Sequence, residues 1–278
     1  MPGRRSDAMK ANRRLAIGLA TALALVMVAG FAPVLAPASP TIQMLDEGLR
    51  PPSGAHLLGQ DKLGRDQLSR IVYGARPSLL VGTLTVTISA LLGVLIGVVA
   101  GYLGGWVDQF LMRLVDVLLA FPGLLLAIAI SAVLGPSLRN VIVALCAISW
   151  TSYARVIRAE VMALRNREFV VAARALGASP WRVMQRHLTP HVVPLLLVQA
   201  SFGMAGAIVG EAGLSFLGLG VQPPMPSWGA MVNEGRSFLL IAPHVAIFPG
   251  LVLMFTVLGL NLLGDGLRDA LDVRARTD

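Results

Sequence analysis

His187 and His191 stand four residues apart, a spacing that can bring two imidazoles to one helix face as a metal site requires. Thr189 and Pro190 lie between them, and no glutamate follows the first histidine as in HExxH, so the pair does not read as a zinc centre. His56 and His244 have no clustered ligands beside them. Ser215 sits in GLSFLG rather than GxSxG and has no identifiable base, which leaves an intramembrane protease unsupported. Lys10 and Lys62 are the two lysines, and neither follows the glycines of a GxxxxGK[ST] phosphate loop. The chain therefore does not bind and hydrolyse ATP by that device, and no cofactor or metal is expected on it. Cys146, the single cysteine, lies in an apolar run, which excludes an intramolecular disulfide and reads as packing.

The more informative stretch is 169–194, FVVAARALGASPWRVMQRHLTPHVVP, a basic helix–glycine–helix inside a sequence otherwise suited to lipid. Of the 278 residues, 55% are hydrophobic and 14% charged, and the mean hydropathy is +0.73, far from a soluble balance. Net charge +8, from 23 Lys and Arg against 15 Asp and Glu, reads as topology and attraction to anionic headgroups; nucleic acid is not an expected partner.

The elements that must hold this stretch are six apolar segments, at 15–35, 79–102, 113–134, 140–157, 192–211 and 245–264. Each approaches the roughly 20 helical residues that cross a hydrocarbon core. The expected fold is all-α: a polytopic bundle of six transmembrane helices with a cytoplasmic coupling-helix loop. Segment 1–14 is then a cytoplasmic N-terminus, 36–78 an external loop, 79–264 a five-helix transmembrane core containing the loop 158–191, and 265–278 a cytoplasmic tail. Sixteen of the 23 basic residues fall on one side of this arrangement, seven of them between spans four and five (Arg155, Arg158, Arg165, Arg167, Arg174, Arg182, Arg186). The positive-inside rule makes that side cytoplasmic and puts both termini there. A cleaved signal peptide ending near Ala36-Pro37-Ala38 is a weaker account, because the apolar run exceeds a usual h-region and proline fits the triplet poorly.

Gly93, Gly97, Gly101 and Gly105, and separately Gly206 and Gly210, form small-xxx-small faces for close helix contact. Pro122 should kink the third span. Asp116, Glu211 and Asp265 fall near span ends and read as interfacial, whereas Gln199, deep in the fifth span, reads as a helix-to-helix hydrogen-bonding group.

Between spans four and five, 168–176 reads as a helix, Gly177 as its left-handed cap, and Ser179-Pro180 as the N-cap and first residue of a second helix. Ala172-Ala173, Gly177 and Thr189-Pro190 resemble the EAA loop of bacterial ABC importer permeases. Val171 stands for the leading glutamate, His187 for an isoleucine and Thr189 for a leucine. Residues 57–80, LLGQDKLGRDQLSRIVYGARPSLL, and 211–232, EAGLSFLGLGVQPPMPSWGAMV, resemble the C-type permease of dipeptide, oligopeptide and nickel importers, with Gln60 at a usual threonine.

The resemblance implies an inner-membrane subunit that pairs with a second permease and forms half of a path for short peptides. An external binding protein would deliver the substrate, and two cytoplasmic ATPases would hold ATP and Mg²⁺. It assigns ATPase coupling to Glu168, Ala172, Ala173, Arg174, Gly177 and Pro190. Nickel or another small solute is the alternative cargo. An ion-gradient transporter would need buried charges and broken helices at mid-bilayer, which the sequence does not announce.

Overall fold

The computed structural model describes the backbone of residues 2–275 and the side chains of residues 12–271. Side chains of Arg4, Arg5, Lys10, Arg274 and Arg276, used above for orientation, lie outside the described residues. In chain order the helices are α1 (Pro2–Gly30), α2 (Ala32–Leu35), α3 (Gln67–Leu103), α4 (Gly105–Leu119), α5 (Gly123–Leu134), α6 (Leu138–Leu164), α7 (Glu168–Ala175), α8 (Pro180–Arg182), α9 (Thr189–Phe216), α10 (Trp228–Arg236) and α11 (His244–Ala275). Five stretches are long and apolar enough to cross a membrane, and α4 with α5 makes a sixth if a bent pair counts as one. The described residues form no strand.

Two sequence expectations change. The third span is broken rather than kinked: α4 and α5 meet at 83°. Pro122 has no N–H, adopts φ −58° and ψ 119°, and disfavours helical backbone at Phe121, so one helix stops and another starts. The loop 36–78 is not all loop, because α3 already begins at Gln67. At 37 residues α3 is about 55 Å long, well beyond a ~30 Å hydrocarbon core.

The glycine face of α3 seats on α6. A Cβ at Gly93 would lie 2.3 Å from Tyr153 Cβ, at Gly97 2.7 Å from the Ala154 carbonyl oxygen, and at Gly101 2.8 Å from that of Arg158. Gly105 and Gly206 touch nothing, whereas Gly210 abuts Leu145 and Gly203 abuts the Tyr153 hydroxyl. A third seam went unread in the sequence: Gly18, Gly259 and Gly266 let α1 pack along α11, against Leu263, Thr21 and Leu15. The Gln199 side chain makes no described hydrogen bond; its carbonyl accepts from the Tyr153 hydroxyl at 3.4 Å.

At the end of the bundle where α3 starts, residues 57–80 and 211–232 meet. Asp66 caps α3 by accepting from the Ser69 N–H at 2.7 Å, and its other oxygen meets His56 Nδ1 at 2.8 Å. Arg65 Nε donates to Asp61 at 2.6 Å and Arg65 Nη2 to Glu234 of α10 at 2.9 Å. Arg70 approaches both carboxylates, at 3.3 and 3.4 Å. Arg65, Arg70 and Asp61 are buried, where unpaired charge is costly. Trp228 Nε1 donates to the Ile71 carbonyl at 2.9 Å, and Gln67 Nε2 to that of Val245 at 2.8 Å, so α10 and α11 are tied to α3. Glu211, read from the sequence as lying near a span end, is fully buried in the protein: the hydroxyls of Ser215 and Ser227 donate to one oxygen at 2.6 and 2.8 Å and hold it inside.

Gly97→Ala should lower the melting temperature of the purified protein, since overpacking a tight contact costs about 1–3 kcal/mol, while Gly206→Ala, with open space, should leave it unchanged. Glu234→Gln should also destabilise, because it leaves Asp61 as the one carboxylate in the cluster facing the buried Arg65 and Arg70; thermal unfolding monitored by tryptophan fluorescence reads both.

Candidate functional site: a basic elbow between two long helices

α6 runs straight into the segment that carries the motif. Arg165 closes α6, and its Nη1 donates to the Gly101 carbonyl at 3.2 Å, tying the start of the elbow to the end of α3. α7 then turns back. Its first residue, Glu168, is acidic and Arg174 is basic in its last turn, the order that suits the helix dipole.

The turn after α7 is a Schellman motif. Ala178 N–H donates to the Ala173 carbonyl and Gly177 N–H to that of Arg174, both at 3.0 Å, with Gly177 at φ +82°. This is the left-handed cap position read from the sequence. Ser179 accepts from the Arg182 N–H at 3.3 Å and Pro180 follows as the first helical residue.

From Pro180 the chain does not break again before the long helix. A π turn, Val183–Leu188, carries it into α9, so Pro190 lies in the first turn of a continuing helix rather than at a boundary of the elbow. Proline there removes the bond to the Arg186 carbonyl and crowds it, and the widened turn relieves that clash. Thr189 Oγ1 donates to the Met184 carbonyl at 2.9 Å within the same turn.

One face of the elbow is buried. Val170, Ala173, Val183, Met184 and Leu188 are buried; all but Ala173 pack with Val98 of α3 and Ile157 and Val161 of α6. His191 stacks on Phe169, ring centroids 4.8 Å apart, and its Nδ1 meets the His187 carbonyl at 2.8 Å. The spacing that suggested a metal pair thus serves to pin α7 to α9. Arg174 is exposed and also contacts its neighbours: its Nη2 donates to the Arg165 carbonyl, and its guanidinium lies 5.9 Å from the centre of the Tyr102 ring. No local sequence pattern announces these contacts with Tyr102 and Phe169.

The other face is open. Leu176 is 89% exposed, Trp181 57% and Val171 51%, and Glu168, Ala172 and Gly177 are exposed with them. Arg167, Arg182 and Arg186 border this crest. Val171, which departs from the EAA pattern, therefore adds apolar surface where the pattern has a charge. Isolated exposed leucines are common, but a rigid unit with an apolar crest and a basic border has the composition of a protein-docking surface. Between α3 and α9, beside Trp181, Gln185 and Thr189, runs a groove of about 710 Å³ lined mainly by apolar residues such as Leu91 and Leu197.

Residues 93–277, more than half of the chain, match the family described as binding-protein-dependent transport system inner membrane component. The chain is 43% identical over 269 residues to the dipeptide transport system permease protein DppC of Alkalihalophilus pseudofirmus, covering 97% of this chain and 88% of that one. It is 46% identical over 233 residues to the glutathione transport system permease protein GsiD of Pectobacterium atrosepticum, covering 84% and 76%. With GsiD of Shigella flexneri the identity is 51% over 225 residues, covering 81% and 74%. Long apolar helices seated on one another through glycine, an elbow built on the motif and this similarity agree: the chain belongs to the binding-protein-dependent inner-membrane components, the permease family of ABC importers that includes those dipeptide and glutathione permeases.

Proposed function

We propose that this multi-pass membrane protein forms half of the translocation path for short peptides in an ATP-driven importer. The peptide class follows the substrates named in its dipeptide and glutathione relatives; nickel or another small solute is the alternative cargo. A second permease subunit completes the path, and two ATPase subunits bind ATP and Mg²⁺ and dock on the elbow. An external binding protein delivers substrate at the opposite end, where the charged cluster around Arg65 and Glu234 lies. The basic elbow faces the cytoplasm and both termini lie with it in a bacterial inner membrane, as the distribution of Lys and Arg supports.

The observation that carries this reading is the two-faced elbow. Its inner face is locked to α3, α6 and α9, so a push on its outer face moves those helices as a unit instead of bending a loop. Its outer face offers Leu176 and Trp181 to a soluble partner. In such a design Glu168, Ala172, Arg174 and Gly177 stand at the exposed ATPase contact, while Ala173 packs behind it and Pro190 lies in the turn that leads into α9. The chain itself performs no bond chemistry.

Gly177→Val tests the coupling. No atom lies within 4 Å of the added Cβ, so the penalty is backbone strain alone, about 1–3 kcal/mol for a branched residue at positive φ. The variant should insert normally yet bind the ATPases weakly and take up little peptide in proteoliposomes; Leu176→Glu should do the same without altering the turn. Wild-type uptake by both would remove the elbow from the coupling path. For orientation, Gln185→Cys should react with an impermeant thiol reagent only from the cytoplasmic side, and Lys62→Cys, also exposed, only from outside.

A further inference from the structure

The break between α4 and α5 lies in the middle of the bundle. Gly123 faces Ile148, which is 3.6 Å from the position of its Cβ, and Met112 and Leu118 pack on the cluster of Val115 with Trp150. Ile148 is ten residues into α6, or about 15 Å along a helix some 40 Å long. It also stands at the centre of the apolar segment 140–157 that the sequence assigns to the hydrocarbon layer.

At this depth the backbone is unpaired. Among the described residues, the carbonyls of Leu119, Ala120 and Phe121 accept no hydrogen bond, and the N–H groups of Gly123, Leu124 and Leu125 donate none. Every residue from Leu119 to Leu125 is exposed, so the bend keeps an open side although Gly123 faces Ile148 of α6 and Leu124 reaches Gly213 of α9. Each unsatisfied group in hydrocarbon costs several kcal/mol, and irregular backbone at mid-bilayer is tolerated only inside protein or against water. A neighbouring helix has already used its own backbone donors and acceptors. Water can satisfy six groups of both kinds at once.

We infer that the α4–α5 break, residues 119–125, lines the water-filled translocation path, with its unpaired amides turned to that water and not to lipid. The inference rests on the reading of the chain as a permease. The arrangement also connects the break to the elbow. Arg158 of α6 donates to both oxygens of Asp108 at 2.5 and 2.6 Å, and Arg155 to Asp116 at 2.7 Å, so α4 is tied to the helix that ends in the elbow. A displacement of α6 is therefore transmitted to the bend.

The test uses the full assembly in proteoliposomes with Cys146→Ala, which removes the single buried cysteine, and Phe121→Cys, Leu124→Cys or Leu125→Cys added one at a time. A positively charged, water-soluble methanethiosulfonate should modify these positions at least about tenfold faster than Leu23→Cys on the outer face of α1, because the reactive thiolate forms in water and is suppressed in apolar surroundings. Modification should also block ATP-driven uptake of a dipeptide. Reaction with a lipophilic maleimide but not with the charged reagent would put the break in lipid, and reaction with neither would put it in a dry subunit contact; both outcomes overturn the inference. Uptake by the unmodified variants is read separately. Its absence in the Cys146→Ala parent would count against a peptide cargo, while the labelling ratio would still decide whether the break meets water.

Discussion

The seam between α3 and α6 is the contact on which the other parts depend. With hydrogen as the side chain at Gly93, Gly97 and Gly101, the backbone of α3 comes within contact of α6 along two helical turns, and any Cβ there would have to enter the space of Ala154 and Arg158 backbone. In lipid, where apolar burial gives little drive for association, such dispersion contact is a main source of helix affinity. Because α3 is long, this one seam sets the position of both ends of the bundle. At one end Gly101 meets the elbow through Arg165, and at the other Asp61, Arg65 and Arg70 gather around the start of α3.

The two ends are built on different physics. The elbow is a surface device: short helices, a Schellman turn at Gly177 and a π turn give it shape, and apolar packing under Val170 and Leu188 gives it stiffness. The opposite end is a buried electrostatic device. Arg65 and Arg70 face Asp61 and Glu234 in a nearly dry setting, where an intact set is tolerated and a broken one is strongly unfavourable. Glu211 extends this polar layer inward through Ser215 and Ser227, with one carboxylate oxygen left without a partner.

Between the ends, α4 and α5 are the part of the bundle that departs from simple spanning helices. A helix that only had to cross lipid would keep its hydrogen-bond ladder intact. Pro122 interrupts that ladder at the centre, and Asp108 and Asp116 bind α4 to Arg158 and Arg155 on the side toward the elbow. The interruption is thus connected through charge pairs to α6, the helix that leads into the elbow, while α5 remains packed on the first half of α6 through Ala127, Ala144 and Leu145.

Whatever depends on neighbours a few residues away was legible in the sequence. The apolar spans, the Gly177 cap, the Ser179-Pro180 restart and the small-residue face of α3 are local properties, carried by apolar content, by φ preferences and by the three- and four-residue spacing of a helix. The matches at 57–80 and 211–232 identified two stretches as belonging to one family, but not that they touch. Only the tertiary structure decided that Arg65 pairs with Glu234, 169 positions away, that Glu211 is buried, that Arg174 contacts Arg165 and Tyr102, and that Gly206 faces open space while Gly203 does not. The reason is that a side chain's charge or size is a property of the chain, whereas what it meets is set by how separate helices are brought together. Pro122 shows the boundary between the two: proline announced an irregularity in the third span, but the 83° break and its exposure at mid-bundle depend on where α6 holds each half.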